Sequence, residues 1–251
     1  MTLDVRDRVA LVTGGGTGIG LEISTRLAQR GARLAITYSH SRDEAETAAE
    51  QLRALGAECL VRRTDVSRFQ EVDELVPAVV ERFGRLDVVV NSAGTTRWVP
   101  FRELEAVTEQ VWDDIFDVNL KGAFFVSRAA GLWMRDRGGG GAIVNVASIA
   151  GLRPSGSSLP YSVSKAGLIH ATRGLALALA PSVRVNAVAP GLVLTRWWTR
   201  RPAEEVERLV ANTAFKRALD AGEVADAALL LITNESISGQ TLAVDLANVM
   251  H

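Results

Sequence analysis

Cysteine is nearly absent: Cys59 stands alone among 251 residues, so no internal disulfide can form. It falls in a stretch that reads as a strand, and a buried, reduced thiol is expected there. Histidine is scarce as well, and His40, His170 and His251 have no metal-ligand spacing, so no metal site is expected. Neither sign of charge dominates. Lys and Arg number 28 against 29 Asp and Glu, a net charge of −1, with basic residues scattered among acidic ones, which argues against nucleic acid as a partner. No apolar run reaches the length of a membrane span. The start, Met1-Thr2-Leu3-Asp4-Val5-Arg6-Asp7, lacks the basic then apolar layout of a signal peptide, so a cytoplasmic protein with no membrane partner is expected. No Pro-, Gly-, Ser- or charge-rich linker divides the chain, and 47% hydrophobic residues suffice for one sizeable core, so residues 1–251 read as a single domain.

Glycine is where the sequence is distinctive. Thr13-Gly14-Gly15-Gly16-Thr17-Gly18-Ile19-Gly20 joins the apolar run Val9-Ala10-Leu11-Val12, as expected of a strand covered on both faces, to a segment of helical spacing from Leu21 to Ala28. Glycines allow a phosphate to approach the backbone, and free N–H groups at a helix start point at an anion. Gly14, Gly16, Thr17, Gly18, Ile19 and Gly20 are therefore candidate pyrophosphate contacts, with a purely structural turn as the alternative. A P-loop would need Gly-Lys-Ser/Thr, whereas Leu21-Glu22 follow Gly20, and the strict G-x-G-x-x-G fingerprint is absent.

A second strand, Arg33 to Tyr38, leads into Tyr38-Ser39-His40-Ser41-Arg42. In a dinucleotide fold a carboxylate here would bind the ribose 2′-hydroxyl, and none occurs before Asp43. The hydroxyls, imidazole and guanidinium present suit a 2′-phosphate, which favours NADP(H), with NAD(H) possible. Ser41 with Glu44 also spells a capping box for a helix from Arg42 to Leu55. A third strand, Ala57 to Arg63, ends in Thr64-Asp65-Val66-Ser67, where Ser67 with Gln70 spells another box ahead of a helix from Arg68 to Phe83. A fourth, Leu86 to Asn91, runs into Asn91-Ser92-Ala93-Gly94. In the connection Thr95 to Thr108, Trp98 and Phe101 either border a pocket or cover a core edge. Asn119 lies in an otherwise apolar helical stretch, where an unpaired amide is costly. Gly138 to Gly141 follows a helix and precedes a strand, the wrong order for a phosphate site, and reads as a flexible surface connection.

A fifth strand, Ala142 to Ala147, delivers Ser148, and Pro160 starts a helix bearing Tyr161 and Lys165 four residues apart on one face. Carbonyl reduction needs a proton donor at the oxygen. A phenol near an ammonium can serve, since the positive charge lowers its affinity for the proton, and a serine hydroxyl can hydrogen-bond the same oxygen.

Together, T-G-x-x-x-G-x-G from Thr13, N-S-A-G from Asn91 in place of N-N-A-G, V-N-L-K-G around Asn119, Ser148 and Tyr161-x-x-x-Lys165 resemble the short-chain dehydrogenase/reductase family over nearly the whole chain. The resemblance implies an α/β doubly wound parallel sheet, Rossmann-like, with helices on both faces. It implies Tyr161 as acid/base, Ser148 as orienting partner of the carbonyl, Lys165 as tuner of Tyr161 and ligand of the nicotinamide ribose, and Asn119 as a helix interruption holding a relay water. It sets Asp65 with Val66 against the adenine, with a turn role for Asp65 as the alternative. Asn91, Ala93 and Gly94 would contact the ribose through backbone, Pro190-Gly191 would pass the nicotinamide, and Thr195 would contact its carboxamide. Residues 192–212, with Trp197 and Trp198, become a substrate lid, the two tryptophans packing on substrate or on a neighbouring subunit. The apolar helix from Tyr161 to Ala180 implies a homo-oligomer, a dimer within a tetramer. Ser238 to Asp245 resembles the last strand, while the tail Leu246 to His251 departs from the family's usual glycines. The expected activity is NADP(H)-dependent interconversion of a ketone and a secondary alcohol, of 3-oxoacyl type or on a small carbonyl. The alternatives are an NAD-dependent alcohol or polyol dehydrogenase, or a catalytically idle nucleotide-binding regulator.

Overall fold

Strand β1 (Val9–Thr13) is buried along its whole length because its side chains alternate between two cores, Val9 and Leu11 facing one, Ala10 and Val12 the other. The computed structural model describes residues 3–198 and 201–249 and shows this pattern repeated across one sheet. In chain order the elements are β1, α1 (Gly18–Ala28), β2 (Arg33–Tyr38), α2 (Arg42–Ala54), β3 (Cys59–Arg63), α3 (Phe69–Phe83), β4 (Val88–Asn91), α4 (Glu109–Phe116) and α5 (Ala123–Trp133). There follow β5 (Gly141–Val146), α6 (Leu159–Leu179), β6 (Val183–Pro190), α7 (Ala203–Ala211), α8 (Ala221–Thr233) and β7 (Thr241–Val244). All seven strands are parallel, in the order β3-β2-β1-β4-β5-β6-β7.

Parallel neighbours need crossovers, and the helices that supply them cover both faces. Helices α1, α2 and α8 close one core over Val12, Ile36, Val90, Val144 and Val188, while α3, α5 and α6 close the other over Leu11, Val89, Ile143 and Val185. Strand order reverses between β1 and β4, which opens a crevice at the carboxyl ends of these two strands. No helix among the described residues is long and apolar enough to cross a membrane.

The sheet's lower rim is pinned by one carboxylate. Asp87, just before β4, accepts from the Val9 N–H at 2.9 Å, from Arg85 at 2.7 and 2.8 Å and from Arg8 at 3.0 Å, with its side chain 4% exposed. Burial works against its charge, but these donors outweigh burial and hold it below the usual carboxylate range.

Several boundaries depart from the sequence expectations. Strands β3, β4 and β7 are shorter, while β6 continues through Pro190, which pairs with Val244 and needs no N–H at the strand's last position. Helix α6 begins at Leu159 because Ser158 caps it, accepting from the Tyr161 N–H, and Pro160 occupies a first-turn position without a partner to lose. Neither capping box forms. Ser41 precedes α2 without a side-chain cap, its hydroxyl held by Arg196 at 2.8 Å, and Ser67 donates to Asp65 at 2.6 Å while α3 starts after Arg68. In the second glycine run Gly139 is open to solvent, while the next two are packed: a Cβ on Gly140 would stand 2.6 Å from the Ser182 carbonyl oxygen, and one on Gly141 as close to that of Asp87. Cys59 is half-buried rather than buried, and burial raises its thiol to about 11, so it stays a thiol. Of the lid, residues 199 and 200 lie outside the described residues, as do Met1, Thr2, Met250 and His251.

Candidate active site

The floor of the crevice is made by the turns after β1 and β4. Thr13 Oγ1, at the end of β1, accepts from the N–H groups of Ser92 and Ala93 at 3.2 and 3.1 Å, so the two turns are bolted together. Gly14, at φ +63°, packs so close that a Cβ there would lie 3.1 Å from the Ala93 Cα. The other glycines have distinct reasons. Gly16 leaves room for α2, since a Cβ would stand 2.8 Å from the Ala45 Cα, and Gly20 sits against the Gly14 carbonyl, where a Cβ would be 2.4 Å from its oxygen. Thr17 is extended and makes no side-chain cap, which leaves the N–H groups of Gly18, Ile19 and Gly20 without intrahelical acceptors at the mouth of the crevice. That is the chemistry a pyrophosphate fits.

Asn91 contributes backbone only. Its side chain is buried, donating at 2.8 Å to both Ser127 and Asn145, and Asn145 in turn donates to Thr172 at 2.9 Å. This polar chain ties β4 and β5 to α5 and α6. Gly94, next to Ala93, is half-buried, with the Asn119 carboxamide 3.5 Å from where its Cβ would stand.

Asn119 falls in a π-helical turn, Asp117–Gly122, between α4 and α5. Its carboxamide grips the backbone of Thr95, accepting from the N–H at 2.8 Å and donating to the carbonyl at 3.0 Å, and donates to Ser164 at 3.2 Å. Ser164 donates to the Tyr161 carbonyl at 2.8 Å. The buried amide is therefore satisfied by protein groups, and its side chain positions the strip after β4 against α6.

Ser148 follows β5 and accepts from the Ala150 N–H at 3.1 Å. It is hydrogen-bonded to Tyr161. Lys165 is buried beneath them, donating to the Val146 carbonyl at 2.8 Å, with its Nζ 5.8 Å from the Tyr161 ring centroid. Burial pushes the Tyr161 phenol above its ordinary value, and the Ser148 bond offsets only part of this. Burial also lowers Lys165 to about 8. Burial is thus the largest influence on the phenol, while the Lys165 ammonium lies beneath the ring on the Val146 carbonyl.

Over this cluster lies the segment after β6. Pro190 and Gly191 turn beside Asp245, and Thr195 comes within 3.4 Å of where a Gly18 Cβ would stand. Trp197 packs edge-on to Tyr161, centroids 6.1 Å apart, and its ring reaches within 3.7 Å of a Cβ position on Gly94. Trp198 meets Trp98 at 5.1 Å, and Arg201 lies over Trp98 at 4.6 Å. Both tryptophans thus pack on this chain, and Trp98 borders the site; Phe101 is exposed. Thr96 and Ser157 hydroxyls bond across the opposite rim.

On the far bank, Ser39 and His40 share a hydrogen bond of 3.0 Å. Asp65 takes the turn role: burial would raise its carboxyl, but the bonds from the Ser67 hydroxyl and N–H outweigh this and leave it lowered. Val66 is buried beside Gly122. Thr13, Ser164 and Arg196 were not among the residues singled out from sequence, though Thr13 opens the glycine motif and Arg196 adjoins Thr195. Among the described residues no group of three His, Cys, Asp or Glu side chains could hold a metal ion.

A parallel sheet with a glycine turn at its switch point and phenol, hydroxyl and ammonium gathered at the next strand end defines a dinucleotide-dependent oxidoreductase of carbonyl and alcohol groups. The family model for short chain dehydrogenases matches residues 8–206. The chain belongs to the short-chain dehydrogenase/reductase family. It is 42% identical over 94% of its length to the protein assigned as ketoacyl reductase 2 of the granaticin polyketide synthase of Streptomyces violaceoruber, covering 94% of that protein. It is 34% identical over 95% of its length to 3-oxoacyl-(acyl-carrier-protein) reductase FabG of Staphylococcus epidermidis, covering 98% of it. Among solved structures, a variant of the actinorhodin polyketide ketoreductase with NADPH superposes with a TM-score of 0.87 at 34% identity, covering 99% of this chain and all of that one.

Proposed function

We propose that this protein is an NADP(H)-linked reductase of 3-oxoacyl-type ketones, working as one unit over residues 1–251 with 192–212 as its lid. The observation that carries this is the convergence of Ser148, Tyr161 and Lys165 at the end of β5, with only β4 between it and the strand that leads into the glycine turn. The 3-oxoacyl and NADPH parts also draw on the relatives, two named for ketoacyl or 3-oxoacyl reduction and a third crystallised with NADPH.

The residues present fit the cofactor. The free N–H groups of Gly18, Ile19 and Gly20 suit its pyrophosphate, and Lys165 and Thr195 would hold its nicotinamide end. Ser39, His40 and Ser41 at the end of β2 bring no carboxylate to the adenosine ribose. When bound, NADPH supplies the hydride for the carbonyl carbon. Tyr161 gives its phenolic proton to the oxygen as the alcohol forms, and Ser148 donates a hydrogen bond to the same oxygen, placing a dipole where negative charge develops. Asn119 and Ser164 hold the Tyr161 backbone and the Thr95 strip in register.

The exposed apolar side chains of α5 and α6, Phe124, Leu132, Val163 and above all Leu177, 83% exposed, support a homo-oligomer joined through these helices. A cytoplasmic location is in keeping with this reading.

The test is NADPH consumption with a 3-oxoacyl thioester, alongside titrations with NADPH and NADH. Turnover with tighter NADPH binding is expected. Binding of neither nucleotide would leave the catalytic cluster without a hydride source and defeat the proposal. The pH profile is a second test. Tyr161, pushed upward, stays protonated through neutral pH, whereas Lys165 loses its charge as pH rises through about 8. The kcat/KM for reduction should therefore fall about tenfold per unit above that point. A flat profile to the alkaline end would show that the Lys165 charge is dispensable.

A further inference from the structure

Arg196 spans the crevice. Its neighbour Thr195 lies over Gly18, on the nicotinamide side, yet the Arg196 guanidinium reaches the opposite bank, donating from Nη1 to Ser41 Oγ at 2.8 Å and lying 3.7 Å from the Glu44 carboxylate. Ser41 stands at the start of α2, where its hydroxyl would ordinarily cap the helix, but it makes no such bond and serves Arg196 instead. The chain between β2 and α2 brings no acidic side chain before Asp43. A planar guanidinium, a hydroxyl and the uncapped N–H groups at the start of α2 are thus assembled from two distant parts of the chain.

We infer that Arg196 recognises the 2′-phosphate of NADP(H), with Ser41 as its companion donor and Glu44 as an internal competitor for its charge. The inference rests on the function proposed above and adds a specificity residue delivered by the lid rather than by the β2–α2 connection. Guanidinium forms two parallel bonds to a phosphate, a geometry that a carboxylate 3.7 Å away does not saturate. Both partners of the Arg196–Glu44 pair are more than half exposed, and such a pair is weak enough to yield to a dianion. With NADP(H) bound, Arg196 turns from Glu44 to the phosphate while Ser41 keeps its place. NADH offers no such group, so with it Arg196 stays on Glu44.

The experiment is calorimetric titration of the full chain and its Arg196→Gln, Arg196→Lys and Glu44→Gln variants with NADPH, NADH and 2′,5′-ADP. Arg196→Gln is expected to weaken NADPH and 2′,5′-ADP by about 10- to 100-fold, the range for a lost charge-assisted bond. NADH should change by no more than about twofold, since it makes no such bond. Arg196→Lys should recover part of the loss, because it keeps the charge but not the fork. Glu44→Gln should tighten NADPH by about two- to fivefold, the scale of an exposed ion pair, and leave NADH unchanged. Retained NADH binding shows that each variant is folded. Unchanged NADPH binding in Arg196→Gln, or equal losses for NADPH and NADH, would overturn the inference, the latter placing Arg196 on the pyrophosphate. If the unaltered protein bound neither dinucleotide, the proposed function itself would fall with it.

Discussion

Tyr161→Phe is expected to lower kcat by about 10²- to 10⁴-fold, the usual worth of a positioned acid, with the Kd for NADPH nearly unchanged. The substitution removes one oxygen and keeps the ring. The ring's packing against Trp197 and the cation contact with Lys165 do not depend on the hydroxyl, so the pocket should keep its shape. What goes is the proton for the carbonyl oxygen and one partner of Ser148. Steady-state kinetics with a direct NADPH titration separates the two effects. A near-normal kcat would move proton donation to another group, and Ser148 would be the first to examine. Because burial raises the phenol in the protein by itself, Tyr161 carries its proton into reduction but holds it more tightly than a free phenol does.

Asp87→Ala should carry the largest cost in stability. The carboxylate is almost wholly buried and bonds the N–H that begins β1 along with two arginines, so its loss takes a partner from several donors at once. The two arginines are more than a third exposed and can return to water, so the cost is mainly that of the buried Val9 N–H left unpaired and the charge-assisted bonds lost, about 2–3 kcal/mol, a fall in Tm of roughly 8 °C for a chain of this size. The effect has a defined pH window. Asp87 is held below its unfolded value, so its stabilisation is complete above about pH 4 and fades as pH falls through the lowered folded value. Thermal melts of both proteins should differ fully at neutral pH and converge in acid. A constant gap at all pH values would mean that packing, not charge, carries the contribution.

The sheet was readable because its signal is local. Val9 to Val12, Val88 to Val90 and Ala142 to Val144 are apolar on both alternating faces, which only a covered parallel strand requires, and the glycine turn and Tyr161-x-x-x-Lys165 announce themselves by spacing. What was misread depended on partners that the local pattern does not reveal. Ser41 and Ser67 both look like helix caps, but Arg196, 155 residues away, claims the first and Asp65 claims the second. Gly140 and Gly141 look loose until Ser182 and Asp87 are placed against them. The influence of Lys165 on Tyr161 follows from depth, and depth is not written in an i, i+4 interval. Asn119 was identified from its motif, yet nothing in its neighbours indicated that Thr95 and Ser164 would take its amide.

The turn at Asp117–Gly122 also restricts how this chain can vary in length. A π turn is an α-helix carrying one residue more than its pitch needs. Deleting a single residue there would let α4 and α5 join in regular pitch with little rotation of either flank, because the widened turn is what absorbs the extra residue. The repaired helix would be the better helix, but Asn119 would swing off Thr95 and the strip from Thr95 to Val99 would lose its hold. Point substitutions can accumulate along this stretch, whereas a one-residue deletion sets helical regularity directly against the integrity of the pocket wall.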